Sequence, residues 1–338
     1  MAITKLLEKL LNKEDLSFEE ISKGFEQLMK DPDPVDIAAF LLLLKSKGET
    51  GEEMAGIASA IQKSMDYVEV DRPLLDIVGT GGDGLSTVNI STGAAIVAAS
   101  CGAVVAKHGN RSVSSRCGSA DLVEALGINL EEDHDRIKRE LDEVGIAFLY
   151  APRFSPAMKV FLPIRKRLGL RTVLNLLGPL LNPAKAEYRM VGVWDASLID
   201  KMAKALQQMS IKKAYIFHGE GLDEISTVGM TEGLYLDEYG KLSRLIIDPS
   251  EFGFKKAIIQ DLQGGDVEEN KSLLIEAIKG KEGAIQDTLA LNAGVGLWIY
   301  GIAPTIEEGI KSSLNAIKTG KAEKKLKEWI HFEKAIIE

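Results

Sequence analysis

Apolar residues recur at helical spacing through the first 68 residues of the chain. One stripe consists of Leu6, Leu7, Leu10 and Leu11. The pairs Ser17/Glu20 and Thr50/Glu53 have the spacing of capping boxes, which predicts that a helix begins after Ser17 and another after Thr50. Between them a very apolar helix should end near Lys47, where Gly48 follows. So much apolar surface on short helices predicts burial against the rest of the chain or against a second subunit, and the pattern does not distinguish the two.

From Leu74 onwards the pattern changes to short strand-like runs that alternate with helices. The predicted strands are 74–78, 103–106, 146–149, 189–194 and 213–217, with a hairpin at 233–237 and 242–247. The predicted helices are 91–101, 119–127, 131–144 and 197–209, and residues 267–336 are mostly helical. Alternation of this kind predicts an α/β fold with a mostly parallel central sheet flanked by helices.

Two domains are expected from this change of pattern. Residues 1–70 form a small all-helical domain, and residues 71–338 form a larger α/β domain. The stretch 155–181 is helical again and interrupts the alternation, so we expect it to join the N-terminal helices in space and to form one wall of a cleft.

Composition and charge narrow the class of protein. The chain has 338 residues, of which 45% are hydrophobic and 27% charged, as in ordinary globular proteins. The net charge of −9 disfavours a general nucleic-acid partner but leaves room for a locally basic pocket. Cys101 and Cys117 form no CxxC pair, which indicates a reducing compartment. The charged N-terminus does not resemble a signal peptide, and no run approaches the roughly 20 apolar residues of a membrane span. We therefore expect a cytoplasmic protein.

Four glycines cluster within the six residues 79–84, directly after the first predicted strand. A dinucleotide fingerprint would require an acidic residue about 20 positions later, where residues 99–103 contain none. A P-loop would place Lys where Leu85 stands. Two interpretations of these glycines remain: a flexible turn, or a loop whose backbone N–H groups bind a diphosphate.

The residues after this loop favour a phosphate-rich ligand. Thr87, Asn89, Ser91 and Thr92 supply donors near a helix start, and Lys107 adds a positive charge. Asn110 lies in the same turn as Lys107. Four serines follow that turn at Ser112, Ser114, Ser115 and Ser119, and each of them alone could equally be a cap or a turn residue.

A second group of chemically active side chains follows the strand at 213–217. A glycine-bearing loop ends there in the adjacent carboxylates Asp223 and Glu224. Magnesium binds through one or two carboxylates together with phosphate oxygens and water, so this pair suits it. A solvated acidic loop explains the pair equally well on the sequence alone. The four histidines are scattered, which disfavours a zinc enzyme.

The motifs GTGGD, NxST, KHGNRSVSS and GSAD occur in an order and spacing that resembles the anthranilate phosphoribosyltransferase family, and the likeness extends over nearly the whole chain. The resemblance implies transfer of the phosphoribosyl group of phosphoribosyl pyrophosphate to the amine of anthranilate, with release of diphosphate. It also implies a homodimer formed through the helical domain. No general base is assigned, because an aryl amine is neutral at pH 7 and its attack needs no strong base.

The resemblance also assigns site residues. Those implied for phosphoribosyl pyrophosphate are Gly79, Gly82, Asp83, Thr87, Asn89, Ile90, Ser91, Thr92, Lys107, His108, Gly109, Asn110, Arg111, Ser112, Val113, Ser114, Ser115 and Ser119. Those implied for anthranilate are Gly79, Asn110 and Arg165, and those for two magnesium ions per monomer are Ser91, Asp223 and Glu224. His108 has either a place in the acceptor pocket or a structural role in its turn. Many relatives have His-Pro where this chain has Ser155-Pro156, a departure that concerns the acceptor channel.

Two other functions fit parts of the pattern. A pyrimidine nucleoside phosphorylase shares the architecture and a related glycine loop, although such enzymes are generally longer and have a different phosphate signature. A non-catalytic paralogue that binds nucleic acid would require basic surface and loss of the Asp223 and Glu224 carboxylates.

Overall fold

The computed structural model describes residues 3–112, 116–131, 133–209 and 211–334. The N-terminal part consists of four helices: α1 (Ile3–Leu11), α2 (Phe18–Lys30), α3 (Pro34–Lys47) and α4 (Gly51–Gln62). Both predicted capping boxes are present, since Ser17 and Thr50 accept backbone N–H groups of the helices that they precede. Gly48 ends α3, as predicted.

A seven-stranded sheet occupies the centre of the remaining chain, in the spatial order β3-β2-β1-β4-β5-β6-β7. Its strands are β1 (Leu75–Gly79), β2 (Val105–Gly109), β3 (Ile146–Tyr150), β4 (Tyr188–Gly192), β5 (Lys213–Gly219), β6 (Thr231–Leu236) and β7 (Leu242–Ile247). The first five strands in chain order pair in parallel, whereas β6 and β7 are antiparallel. The predicted parallel sheet and the predicted hairpin are both confirmed.

Helices cover both faces of this sheet. They are α5 (Ile90–Ser100), α6 (Ser119–Ala125), α7 (His134–Glu143), α8 (Ala151–Phe154), α9 (Leu162–Leu168), α10 (Ile199–Gln207), α11 (Val267–Ile278), α12 (Ala284–Tyr300), α13 (Ile306–Lys318) and α14 (Lys321–Lys334). Neighbouring residues of one strand belong to different cores: Val105 packs into one hydrophobic cluster and Ala106 into the other. Burial on both faces explains why most residues of the parallel strands are apolar. In these ranges we find no helix with the length and apolar character needed to cross a bilayer.

Residues 155–181 are helical only in short pieces. They contain α9 and three 3₁₀ turns, at 156–161, 173–175 and 178–180. Gly169, with a left-handed backbone (φ 62°), ends α9. The segment packs on the N-terminal helices, where the Phe161 ring stacks on Phe25 with centroids 4.9 Å apart. The division of the chain at residue 70 stays a prediction.

The strand order places a crevice beside β1. The chain moves from β1 to β2 and β3 on one side and then returns to β4 on the other side of β1. In open parallel sheets, ligands bind outside the carboxyl ends of the strands at such a reversal. Here those ends are Gly79 of β1 and Gly192 of β4, which pair with each other.

Candidate active site

The glycine loop, residues 79–84, leaves the carboxyl end of β1 at this crevice. Gly81, Gly82 and Gly84 have positive φ values of 65°, 84° and 79°, which L-residues with a side chain rarely adopt. Within the described part of the chain, no acceptor is found for the N–H groups of Gly82, Asp83 and Gly84. Consecutive N–H groups of this kind suit an anionic oxygen.

The acidic loop, residues 220–224, follows β5 and meets the glycine loop. Asp223 Oδ2 accepts the Gly81 N–H at 2.6 Å, and Glu224 Oε1 accepts the Ser91 N–H at the start of α5 at 3.1 Å. Both carboxylates are buried, with 8% of each residue exposed. The reading of this segment as a solvated acidic loop is therefore wrong for Asp223 and Glu224.

Two glycines make this meeting of loops possible. A Cβ on Gly79 would collide with the Asp223 carboxylate, and a Cβ on Gly192 would overlap the Asp223 backbone. Gly192 is absent from the sequence-based assignment. Its only local signal is its place within the predicted strand 189–194.

Burial and the repulsion of neighbouring carboxylates raise the pKa of both acids. Burial, with a further contribution from the charge of Asp83, raises the pKa of Asp223 to about 7. Burial and then the charge of Asp223 raise the pKa of Glu224 well above its usual range, against the opposing effect of Lys107. A bound cation would favour the charged form of both groups.

Lys107 lies beneath this site, and its side chain is fully enclosed. Its Nζ donates to Ile77 O at 2.7 Å and to Ser91 Oγ at 3.1 Å. Burial lowers the pKa of this amine, while Asp76, Glu224 and Asp223 oppose the shift. Lys107 thus holds the Ser91 hydroxyl in place. The direct contact with phosphate that the sequence predicts stays a prediction.

The residues before and inside α5 divide into accessible and buried groups. Thr87 and Ser91 are partly exposed, whereas Ile90 and Thr92 are buried. In the part of the chain that the structure describes, the Thr92 hydroxyl has no hydrogen-bond partner. Asn89 stands at the N-cap position of α5, but its side chain does not cap the helix.

The side chain of Asn89 instead connects three elements. Its Nδ2 donates to Cys117 O at 3.2 Å, and its Oδ1 accepts the Asn270 amide of α11 at 3.0 Å. Asn89 therefore positions the chain around the site through its own side chain. The buried Asn270 is another residue that the sequence did not reveal.

The turn after β2 is held by its own hydrogen bonds. Arg111 forms ion pairs with Glu124 at 2.8 Å and with Asp121 at 3.0 Å. These pairs raise the pKa of its guanidinium. Asn110 Oδ1 accepts the Arg111 N–H at 2.7 Å, and the Ser112 N–H bonds to Asp121. Gly109 is the last residue of β2. The predicted contacts of Val113, Ser114 and Ser115 lie outside the described residues.

Ser119 is the first residue of α6, where the predicted helix 119–127 also begins. Gly118 stands at the N-cap position. The Ser119 hydroxyl donates to Asn110 O at 3.3 Å. This bond ties the start of α6 to the turn after β2.

A buried polar network anchors the same turn from below. The carboxylate of Asp76 accepts the His108 N–H at 3.2 Å and the Asn182 amide at 2.9 Å. His108 Nδ1 lies 3.2 Å from Gly178 O, so Nδ1 carries the proton and Nε2 is an acceptor. Among the described residues the buried Nε2 has no partner. Asp76 and Asn182 were not predicted, because their partners are distant in sequence.

Arg165 of α9 is a half-buried cation. Within the described ranges its guanidinium has neither an ion pair nor a hydrogen bond, and burial lowers its pKa. Lys166 and Arg167 are exposed, as expected for a solvated basic face of this helix. A guanidinium without a carboxylate partner suits an anionic ligand.

The oxygen atoms that the acidic loop offers as metal ligands suit magnesium. No group of three or more His, Cys, Asp or Glu side chains is arranged to hold a metal in the described parts of the chain. Asp223 and Glu224 nevertheless offer oxygen ligands beside the Ser91 hydroxyl. Magnesium ordinarily takes one or two carboxylates and completes its shell with phosphate oxygens and water, so the residues present fit this ion.

Comparison with known proteins agrees with this architecture. Residues 71–323 match the model of the glycosyl transferase family a/b domain, and residues 4–65 match the helical bundle domain of the same family. The chain is 44% identical over 331 residues to the anthranilate phosphoribosyltransferase of Chlamydia felis, covering 98% of this chain and 96% of the relative.

Two solved structures have the same fold along nearly their whole length. The crystal structure of anthranilate phosphoribosyltransferase from Thermus thermophilus aligns with a TM-score of 0.91 and 41% identity, covering 97% of this chain and 99% of that chain. The enzyme from Saccharomyces cerevisiae in complex with PRPP and Mg aligns with a TM-score of 0.89 and 28% identity, covering 99% and 98%. The chain belongs to the anthranilate phosphoribosyltransferase family.

Proposed function

We propose that this protein transfers the phosphoribosyl group of phosphoribosyl pyrophosphate (the donor) to the amine of anthranilate (the acceptor), giving N-(5-phosphoribosyl)anthranilate and diphosphate in tryptophan biosynthesis. The observation that supports this most directly is the junction of the glycine loop with the acidic loop, where Gly81 bonds to Asp223. Free N–H groups and paired carboxylates meet there at the carboxyl end of a parallel sheet. A magnesium diphosphate requires both.

The donor's diphosphate would lie on the N–H groups of Gly82, Asp83 and Gly84. These groups lie on a backbone already held in its bent form, so the loop loses little conformational freedom on binding. Preorganised N–H groups stabilise the charge that collects on the leaving diphosphate as the bond to the ribose C1 breaks. Asp223, Glu224 and the Ser91 hydroxyl would hold magnesium, which supplies positive charge to the same oxygens. Two ions per monomer is the number that the family resemblance implies.

Arg165 would bind the acceptor carboxylate. Its guanidinium can pair with both carboxylate oxygens and orient the ring so that the amine faces the ribose. The amine is neutral near pH 7, so the residues of the site need to align it with C1 and do not need to remove a proton first. Asn110 and Gly79 would contribute to the same acceptor position.

A direct assay tests the activity. The protein is incubated with magnesium, the donor and anthranilate, and the loss of anthranilate fluorescence is followed. We expect a loss that requires all three components. No loss with folded protein would contradict the proposal.

The two competing functions receive separate assays. Phosphorolysis of thymidine or uridine would indicate a nucleoside phosphorylase, and salt-dependent binding of DNA would indicate a nucleic-acid-binding paralogue. The net charge and the retained acidic pair argue against the second of these. We expect neither activity.

The same proposal includes a cytoplasmic homodimer formed through the helical domain. Leu11 of α1 and Val35 of α3 are 66% and 75% exposed, on helices that pack against each other. Apolar residues this exposed on adjacent helices favour a partner surface. Sedimentation velocity tests the assembly: the wild type should sediment as a dimer and Leu11→Glu/Val35→Lys as a monomer. Cys101 and Cys117 form no disulfide with each other, which agrees with a reducing compartment.

A further inference from the structure

Arg171 makes two contacts that the site described above does not use. Its Nη2 donates a hydrogen bond to the carbonyl oxygen of Gly82, in the glycine loop. Its guanidinium carbon also lies 5.0 Å from the ring centroid of Trp194, which follows β4. A planar cation over an aromatic face is attractive even where the site is partly exposed. Arg171 therefore joins the segment 155–181 to the donor side of the crevice.

The bond to Gly82 constrains the direction in which the loop presents its N–H groups. The carbonyl of Gly82 and the N–H of Asp83 belong to one trans peptide, so they point in opposite directions. While Arg171 holds this carbonyl, the Asp83 N–H points away from the guanidinium. The same bond keeps a carbonyl oxygen from turning toward an anionic ligand. Arg171 thus selects the loop conformation that an anion needs.

Trp194 is tied to the same loop on its other side. Its backbone N–H donates to Thr80 Oγ1 at 3.2 Å, and the Thr80 N–H donates to Gly192 O at 2.9 Å. The Arg171 guanidinium consequently rests on a residue that is already fixed to the glycine loop. A movement of the loop therefore moves the surface on which Arg171 stacks.

Arg171 is also close in sequence to the proposed acceptor residue. Arg165 lies in α9, and only the turn at Gly169 separates that helix from Arg171. The segment that would bind the acceptor carboxylate at one end thus holds the glycine loop at the other. An acceptor that holds this segment in place also holds the Arg171 bond to Gly82, and a diphosphate that holds the glycine loop in place favours the same bond. Each ligand thus favours the arrangement that the other binds.

We propose that Arg171 is a positioning residue that couples the two substrate sites, so that occupation of the glycine loop by magnesium diphosphate tightens the binding of anthranilate. This inference rests on the proposed function, because it assumes that both ligands bind at these sites. Arg171 acts through the Gly82 carbonyl and Trp194 and needs no contact with either reacting atom.

The test uses a pair of ligands that cannot react with each other. Anthranilate is titrated calorimetrically into the full-length protein with and without saturating magnesium diphosphate, and the ratio of the two dissociation constants is the coupling factor. For the wild type we expect a factor of about five or more, the lower range of typical couplings between sites. For Arg171→Ala we expect a factor near one. The matched control is Arg167→Ala, which removes an exposed arginine from the same segment and should keep the wild-type factor.

Each outcome supports or overturns the inference. A wild-type factor near one, or an unchanged factor in folded Arg171→Ala, would overturn it. If Arg171→Ala does not fold, Arg171→Lys serves instead: it keeps the charge but loses the planar stack on Trp194, and an undiminished factor would again overturn the inference. Failure of the wild type to bind anthranilate or the diphosphate at all would instead count against the proposed function.

Discussion

The backbone N–H of Gly81 and the Oδ2 atom of Asp223 are 2.6 Å apart, which joins two loops separated by 142 residues in sequence. One carboxylate oxygen is therefore fixed by the glycine loop, and the position of the proposed metal ligand depends on the conformation of that loop. Gly79 makes this contact possible, because only a residue without a Cβ leaves room for the Asp223 carboxylate.

Gly79→Ala should lower kcat/KM for the donor without unfolding the protein. The new methyl group has to displace the Asp223 carboxylate, and a displacement of about 1 Å at a catalytic group can cost on the order of 100-fold in rate. We expect kcat/KM for the donor to fall by about that factor, measured by steady-state kinetics at saturating anthranilate. The thermal unfolding midpoint shows whether the variant is folded, and a folded variant with normal kcat/KM would contradict the close packing.

Asp223→Asn/Glu224→Gln should change the magnesium requirement. Loss of residues that merely orient a metal ligand costs roughly 10- to 100-fold in metal affinity, so loss of both ligands should cost at least as much. The measurement is the magnesium concentration at half-maximal rate. Glu220→Gln is the control, since Glu220 is an exposed acid in the same loop. An unchanged magnesium requirement in the double variant would remove the proposed metal site.

Arg165→Ala should mainly weaken the binding of anthranilate. Hydrogen bonds to a charged group contribute about 1.5–3 kcal/mol, which corresponds to a KM increase of roughly 10- to 100-fold. Kinetics with each substrate varied in turn should show this increase for anthranilate and a smaller change for the donor. Lys166→Ala, an exposed neighbour, should leave both KM values near those of the wild type. If Arg165→Ala instead raised only the KM for the donor, Arg165 would belong to the phosphoribosyl pyrophosphate site.

Asn182→Ala should destabilise the fold from beneath the site. The buried Asp76 carboxylate would lose the amide that donates to it at 2.9 Å, and such a loss costs about 1–3 kcal/mol. Urea unfolding measures the free energy of unfolding of the variant. Asn315→Ala, which removes an exposed amide on α13, should change that free energy little. Equal stability of the two variants would mean that the Asp76 network contributes nothing to the fold.

The features that the sequence predicted well depend on local chemistry. The glycines at 81, 82 and 84 indicated a bent backbone, and the two capping boxes indicated where their helices begin. These signals lie within a few residues of the structure that they produce. The parallel sheet was also predictable, because strands covered on both faces are mostly apolar and alternate here with helices along the chain.

The features that the sequence did not reveal depend on contacts between distant residues. Gly192 matters because the acidic loop crosses it, and Arg171 matters because its partner Gly82 is 89 positions away. The bonds that the enclosed Lys107 ammonium donates to Ile77 and Ser91 are likewise contacts between distant residues, and its contact with phosphate stays a prediction. A lysine beside a glycine loop has the same local pattern whether it bonds to the chain or to a ligand, so only the packing decides which way the side chain turns.

A crystal soaked with phosphoribosyl pyrophosphate and magnesium tests the central claim most directly. The account predicts density for the diphosphate against the N–H groups of Gly82, Asp83 and Gly84, with a metal ion bound to the acidic loop at Asp223 and Glu224. Density for the donor elsewhere on the molecule, or a diphosphate that does not contact the glycine loop, would contradict it.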